Sequence, residues 1–167
     1  MVADGFAHPP SFEVETVLGF LYYKEKNCDM VVLETGMGGR LDATNVIPDP
    51  QKLLAVFASV SMDHMAFLGD SLGQIAKEKA GIITQGCSVV TMEQREEVMD
   101  VFQKVCLEKQ AVLTVSKPET ASSIHYGLEK QTFLYRNRLP VTIRLAGNYQ
   151  IPNALLALQA AEIVQQK

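Results

Sequence analysis

Leu33-Glu34-Thr35-Gly36-Met37-Gly38-Gly39-Arg40-Leu41-Asp42-Ala43-Thr44-Asn45 decides how this chain is read. The apolar run Met30 to Leu33 leads into it, and three glycines then fall within four residues. Glycine tolerates positive φ and close backbone approach at a cost in chain entropy. Glycines clustered after a buried-looking strand therefore predict a loop shaped for a ligand. Glu34 closes that strand, and open α/β sheets bind their ligands at the carboxyl ends of strands.

Outward from the loop, helices and strands alternate. Ser11 to Asn27 reads as a helix, with Val14, Val17, Leu18, Leu21 and Tyr22 on one face and Ser11 as its cap. Asp29 to Leu33 is expected to be a short buried strand, and Leu53 to Val60 a second, ending at Ser61-Met62-Asp63-His64. Ser71 to Lys79 is expected to be helical with Gly81 as its stop. Val89 to Met92 reads as a strand, Glu93 to Lys109 as a long helix, and Ala111 to Val115 as a further strand. The alternation implies an α/β fold, a mostly parallel sheet with helices on both faces. After Pro118 the pattern changes. His125 to Tyr135 and Pro140 to Leu145 alternate apolar and polar residues, with Asn137-Arg138 as a turn, which predicts a small antiparallel section near residues 124–145. Asn153 to Gln166 closes the chain as an Ala/Leu-rich helix with Pro152 in its first turn.

Composition narrows the function classes. The 167 residues suffice for one domain with a core, and the net charge of −4 without any Lys/Arg run argues against a nucleic-acid surface. Leu53 to Val60, the longest apolar stretch, is too short to cross a bilayer. The start of the chain has no secretory signal pattern. The three cysteines lack disulfide spacing and read as reduced thiols of a cytoplasmic protein.

Three further clusters carry chemistry. Asp63-His64 follows a strand, as Glu34 does, so a carboxylate and an imidazole could share one divalent ion. Mg²⁺ takes only one or two protein ligands beside water and phosphate. On residue types alone, a capping Asp and a satisfied loop histidine are the favoured reading, because such pairs are common in loops. Lys77-Glu78-Lys79 before Ala80-Gly81 reads either as a solvated helix face or as the source of a functional lysine. Asn153 reads as a helix cap or as a ligand-binding amide. No G-x-x-x-x-G-K-S/T and no G-x-G-x-x-G occurs, so the glycine loop is no Walker loop.

Taken in order, Phe12-Glu13 with Thr16, the Leu33–Asn45 stretch, Asp63-His64 with Leu68-Gly69, Ile75 to Ile82, Gln94, and Tyr149-Gln150 with Asn153-Ala154 resemble the folylpolyglutamate synthase/dihydrofolate synthase family of the Mur ligase superfamily. The resemblance covers nearly the whole chain. It implies the central ATPase domain of an ATP-dependent amide ligase, which adds L-glutamate to folate or dihydropteroate through an acyl phosphate. ATP and Mg²⁺ would be required, and no nucleic acid or membrane partner. By the same resemblance Glu34, His64 and a carbamylated Lys79 would hold metal and serve catalysis. Gly38, Gly39 and Asn153 would line the nucleotide site, Arg40 and Asp42 the acceptor side, and Phe12 and Thr16 the pterin side.

The chain departs from the family pattern in lacking the upstream phosphate loop and the downstream C-terminal domain. Residues 1–167 are therefore expected to be a partial central domain without a second domain, inactive alone and open to self-association along an exposed sheet edge. Thr35, Met37 and Met62 also stand where Val, Leu and Leu are usual. Two other readings stay open: another Mur-type amino-acid ligase acting on a cell-wall precursor, and a non-catalytic binding or scaffold domain.

Overall fold

The computed structural model describes residues 8–49, 51–62 and 68–166. The first helix, α1, spans Ser11–Glu25. Strand β1 (Leu54–Phe57), helix α2 (Leu72–Ala80), strand β2 (Ser88–Met92), helix α3 (Glu96–Glu108) and strand β3 (Val112–Ser116) then alternate. The strands form a parallel sheet in the order β1-β2-β3, with Ala55 opposite Val89 and Val90 opposite Thr114. Parallel neighbours need crossover connections, and α2 and α3 supply them.

The core lies where the helices meet one face of this sheet. Ala55, Phe57 and Val89 pack against Leu72, Ala76 and Ala80 of α2 and Val98, Phe102 and Cys106 of α3. Phe102 is wholly buried and stacks on Phe57 at 4.5 Å between centroids. Burial of one such ring contributes roughly 1.5–3 kcal/mol. Beyond β3, strands β4 (Ala121–His125), β5 (Gln131–Tyr135) and β6 (Leu139–Ile143) form a separate antiparallel sheet. The last helix, α4 (Gln150–Gln165), contacts all three parallel strands and buries Ile151 and Leu155 against Phe133 and Tyr135 of β5. It joins the two sheets. The expected α/β architecture with an antiparallel section is thus the architecture observed.

Several expectations are corrected. Met30 to Leu33 forms no strand and pairs with nothing in either sheet; Val32 is 91% exposed. An apolar run becomes a strand only beside a partner, and among the described residues β1 is bonded to β2 alone. The apolar face of α1 is likewise uncovered: Val17, Leu18, Leu21 and Tyr22 are 55–59% exposed. Ser11 is the first helical residue rather than the cap, which is Pro10. Gly81 caps α2 in right-handed conformation, so its small size answers a contact and not a turn. Helix α3 starts at Glu96, not Glu93, and α4 starts at Gln150, which puts Asn153 inside the helix instead of at its cap. His125 to Tyr135 is not one strand but the end of β4, a loop, and β5. The expected turn is present, with Arg136 and Asn137 both at positive φ. Asp63 and His64 lie outside the described residues.

Candidate functional site

The glycine loop is docked on the carboxyl end of α2. Gly39 lies against two backbone carbonyls there: a Cβ on it would sit 2.8 Å from the Lys79 oxygen and 3.0 Å from that of Glu78. Only glycine fits this approach. The next amide, Arg40 N–H, donates to the Glu78 carbonyl at 2.9 Å. Gly81 serves the same contact from the other side, since a Cβ on it would meet Arg40 Cα at 2.6 Å. Arg40 Nε faces the Glu78 carboxylate at 3.1 Å. The Asn45 amide donates to the carbonyls of Arg40 (3.2 Å) and Gly81 (3.1 Å). Lys52 Nζ donates to Asn45 Oδ1 at 2.7 Å and to the Ile82 carbonyl at 3.0 Å.

Asp42 shapes the loop from within. Its Oδ2 accepts from the amides of Gly36 (2.9 Å) and Met37 (3.0 Å), and its Oδ1 from the Thr44 amide (2.9 Å) and hydroxyl (2.6 Å). A carboxylate offers about four acceptor sites, and these four donors fill them. Partial burial pushes the Asp42 carboxyl up, but the hydrogen bonds from Thr44, Met37 and Gly36 outweigh it and hold it below the ordinary aspartate value. Gly38 takes φ +69°, the left-handed region that favours glycine. The Phe12 ring packs on Gly36, where a Cβ would lie 2.7 Å from it.

These contacts frame a cavity of about 150 Å³. Gly36 to Gly38 line one side, Ser59 and Ser61 beyond β1 another, and Lys79 with Ile75 of α2 a third. Lys79 is half-buried, and its ammonium has no hydrogen bond or ion pair to another described residue, unlike the side chain of its neighbour Glu78. Glu34 is exposed at the entrance to the loop, equally free of partners among the described residues. The structure therefore gathers Phe12, Gly38, Gly39, Arg40, Asp42 and Lys79 at one place. The Thr16 hydroxyl turns back to the Phe12 carbonyl at 2.7 Å. Asn153, exposed on α4, does not line this cavity. A larger hollow of about 340 Å³ between β4 and the start of α4 is lined by Ile124, Tyr126, Tyr149 and Leu155, without carboxylate, imidazole or ammonium groups. The smaller cavity is the one with the means for chemistry.

The profile of the Mur ligase middle domain matches residues 11–161. The chain belongs to the Mur ligase middle-domain family. Folylpolyglutamate synthase of Arabidopsis thaliana is 38% identical over 156 residues, covering 93% of this chain and 22% of that protein. Dihydrofolate synthase/folylpolyglutamate synthase of Bacillus subtilis is 32% identical over 166 residues, covering 94% of this chain and 37% of that protein. The solved FPGS-AMPPCP-folate complex aligns with a TM-score of 0.86 at 27% identity, covering 96% of this chain and 40% of that one. This Mur ligase middle domain thus spans between about a fifth and two fifths of the relatives it matches.

A divalent cation suits the donors present. Glu34 offers a solvated carboxylate with no competing partner among the described residues, and Mg²⁺ asks for one or two such ligands. Among the described residues no cluster of three His, Cys, Asp or Glu side chains forms a closed metal cage. Sequence reading singled out Lys79, Glu34 and the glycines, but it missed Asn45 and Lys52 as the clamp on the loop. No motif marks Lys52; only its partners in space do.

Proposed function

We propose that this domain works in an ATP-dependent carbon–nitrogen ligase that joins L-glutamate to folate or dihydropteroate. The observation that carries this reading is the meeting of the glycine loop and Lys79 across one small cavity, in a chain of the Mur ligase middle-domain family. In such a reaction a carboxylate oxygen of the acceptor attacks the γ-phosphorus of ATP and ADP leaves. The glutamate amine then attacks the resulting acyl phosphate, inorganic phosphate departs, and the amine loses its proton. Phosphoryl transfer asks a protein mainly for position and charge.

Glu34 would hold Mg²⁺, together with His64 outside the described residues. The ion would supply charge neutralisation at the phosphate oxygens. Lys79, without an ion-pair partner among the described residues, would be carbamylated by CO₂, which turns its ammonium into an anion able to share a metal. Gly38 on the cavity wall would let backbone approach the nucleotide, Gly39 would act by seating the loop on α2, and Asn153 on α4 would meet the base. Arg40 would face the acceptor, whereas Asp42 acts through the loop it shapes because its acceptor sites are filled. Phe12 on Gly36 would border the acceptor's ring, with Thr16 one helical turn away.

The three free thiols suit the reducing cytoplasm, and no helix among the described residues is long and apolar enough to cross a membrane. The uncovered face of α1 and the open edge of β1 supply a surface for self-association.

The test is glutamate-dependent ADP release from Mg-ATP, measured in the whole protein with folate, dihydropteroate or a UDP-muramoyl substrate as acceptor. We expect folate or dihydropteroate to support turnover, and Lys79→Ala and Glu34→Gln each to reduce it at least a hundredfold, a magnitude typical for loss of a group that stabilises transition-state charge. Turnover with the muramoyl substrate alone, or unchanged rates in both variants, would refute the assignment.

A further inference from the structure

Gln94 has no part in the chemistry above, yet its carboxamide makes three hydrogen bonds. Oε1 accepts from Val60 N–H at 3.0 Å, while Nε2 donates to the Ala58 carbonyl at 2.8 Å and to Thr91 Oγ1 at 3.2 Å. The first two bonds grip one short stretch of backbone: the Ala58 carbonyl and the Val60 amide flank Ser59. The β1–β2 register ends at Phe57 opposite Thr91, so strand pairing stops short of these groups and the Gln94 side chain supplies their partners. Residues 93–95 belong to neither strand nor helix, and α3 begins only at Glu96. Thr91 Oγ1, on a wholly buried residue, anchors the carboxamide from β2.

Ser59 and Ser61 both line the 150 Å³ cavity with Lys79. We propose that Gln94 is a positioning residue: its carboxamide clamps the Ala58 carbonyl and the Val60 amide beyond the end of β1 and so holds Ser59 and Ser61 at the cavity wall with Lys79. The use of that wall for Mg-ATP rests on the ligase reading; the clamp itself does not.

Amide hydrogen exchange on the full chain tests it. In Gln94→Ala we expect the Val60 amide to lose about tenfold in protection, the worth of one hydrogen bond, with Val89 and Val90 in β2 changed less than twofold. Gln94→Glu supplies a conservative probe with its own pH signature. As a carboxylate the new side chain faces the Ala58 carbonyl and fails; once protonated it has a donor for that carbonyl and an acceptor for Val60 N–H. Val60 protection, measured relative to Gln94→Ala at each pH, should return as pH falls through the carboxyl titration. A general loss of packing would show no such return. Unchanged Val60 protection in Gln94→Ala, or equal losses at Val60, Val89 and Val90, overturns the proposal. Mg-ATP titrated into the same samples reads the ligase assignment separately. Binding by the wild type that weakens about tenfold in Gln94→Ala ties the clamp to the nucleotide. Wild type without binding counts against the ligase reading while the exchange data still decide the role of Gln94.

Discussion

Replacing Asp42 by alanine withdraws one acceptor group from four donors. The Gly36 and Met37 amides lie on exposed residues and would rehydrate, so each costs only the net value of a hydrogen bond. The Thr44 amide and hydroxyl are part-buried and cost more. At about 0.5–1.5 kcal/mol per bond the loss is about 2–4 kcal/mol, held to the lower part of the additive range because the loop is solvated. The sign with pH follows from the lowered carboxyl. Its contribution is fully present above the unfolded-state pKa of about 3.9 and is lost as pH falls through the still lower folded value. Urea denaturation of wild type and Asp42→Ala should thus differ by a constant amount from neutral pH down to about pH 4.5, with the gap closing below it. Exchange at the Gly36 and Met37 amides should accelerate in parallel. A difference under about 0.5 kcal/mol with unchanged exchange, or a gap that widens on acidification, would refute the assignment of Asp42 as the hub of the loop.

Gly39→Ala should destabilise the domain by about 1–3 kcal/mol, the usual cost of overpacking, because its Cβ meets the Lys79 and Glu78 carbonyls; thermal denaturation reads the loss, and a neutral result would mean the loop is not docked as described. The thiols should divide by reactivity. Cys28 is exposed, whereas burial and the neighbouring Cys87 push the buried Cys106 thiol up to about 11. Alkylation of the native chain at pH 8 should therefore label Cys28 rapidly and spare Cys87 and Cys106 until denaturant is added, as peptide mapping would show.

The elements that sequence reading located well are those whose burial is decided within the domain. Helices α2 and α3 show their inward faces as periodic apolar positions because Leu72, Ala76, Val98 and Phe102 pack into the core with the sheet. Met30 to Leu33 and the α1 stripe carry equally apolar patterns but lie uncovered, since pattern records a capacity for burial and not the presence of a partner. Strand β1 ends at Phe57 instead of Val60 and α3 begins at Glu96 instead of Glu93 for a related reason. The Gln94 side chain is engaged by a backbone segment 34–36 residues earlier in the chain, a partner that no local pattern shows. In the site, glycine spacing and Lys79 were visible as residue types. The Asp42 hub and the Asn45–Lys52 clamp were not, because Asp42 meets its donors only once the loop folds back on itself, and Asn45 and Lys52 reach Gly81 and Ile82 only once it docks beside α2.

The docking of the loop has an electrostatic consequence. The carboxyl end of a helix carries roughly half a negative charge, and α2 presents that end beside the cavity. Bare, it would repel any anion drawn there. Arg40 N–H covers the Glu78 carbonyl, the Asn45 amide that of Gly81, and the Lys52 ammonium that of Ile82. Burial lowers the Lys52 pKa, but Asp49 and Cys87 pull it back. The segment that follows the glycines is therefore a counter-charge for the negative pole of α2.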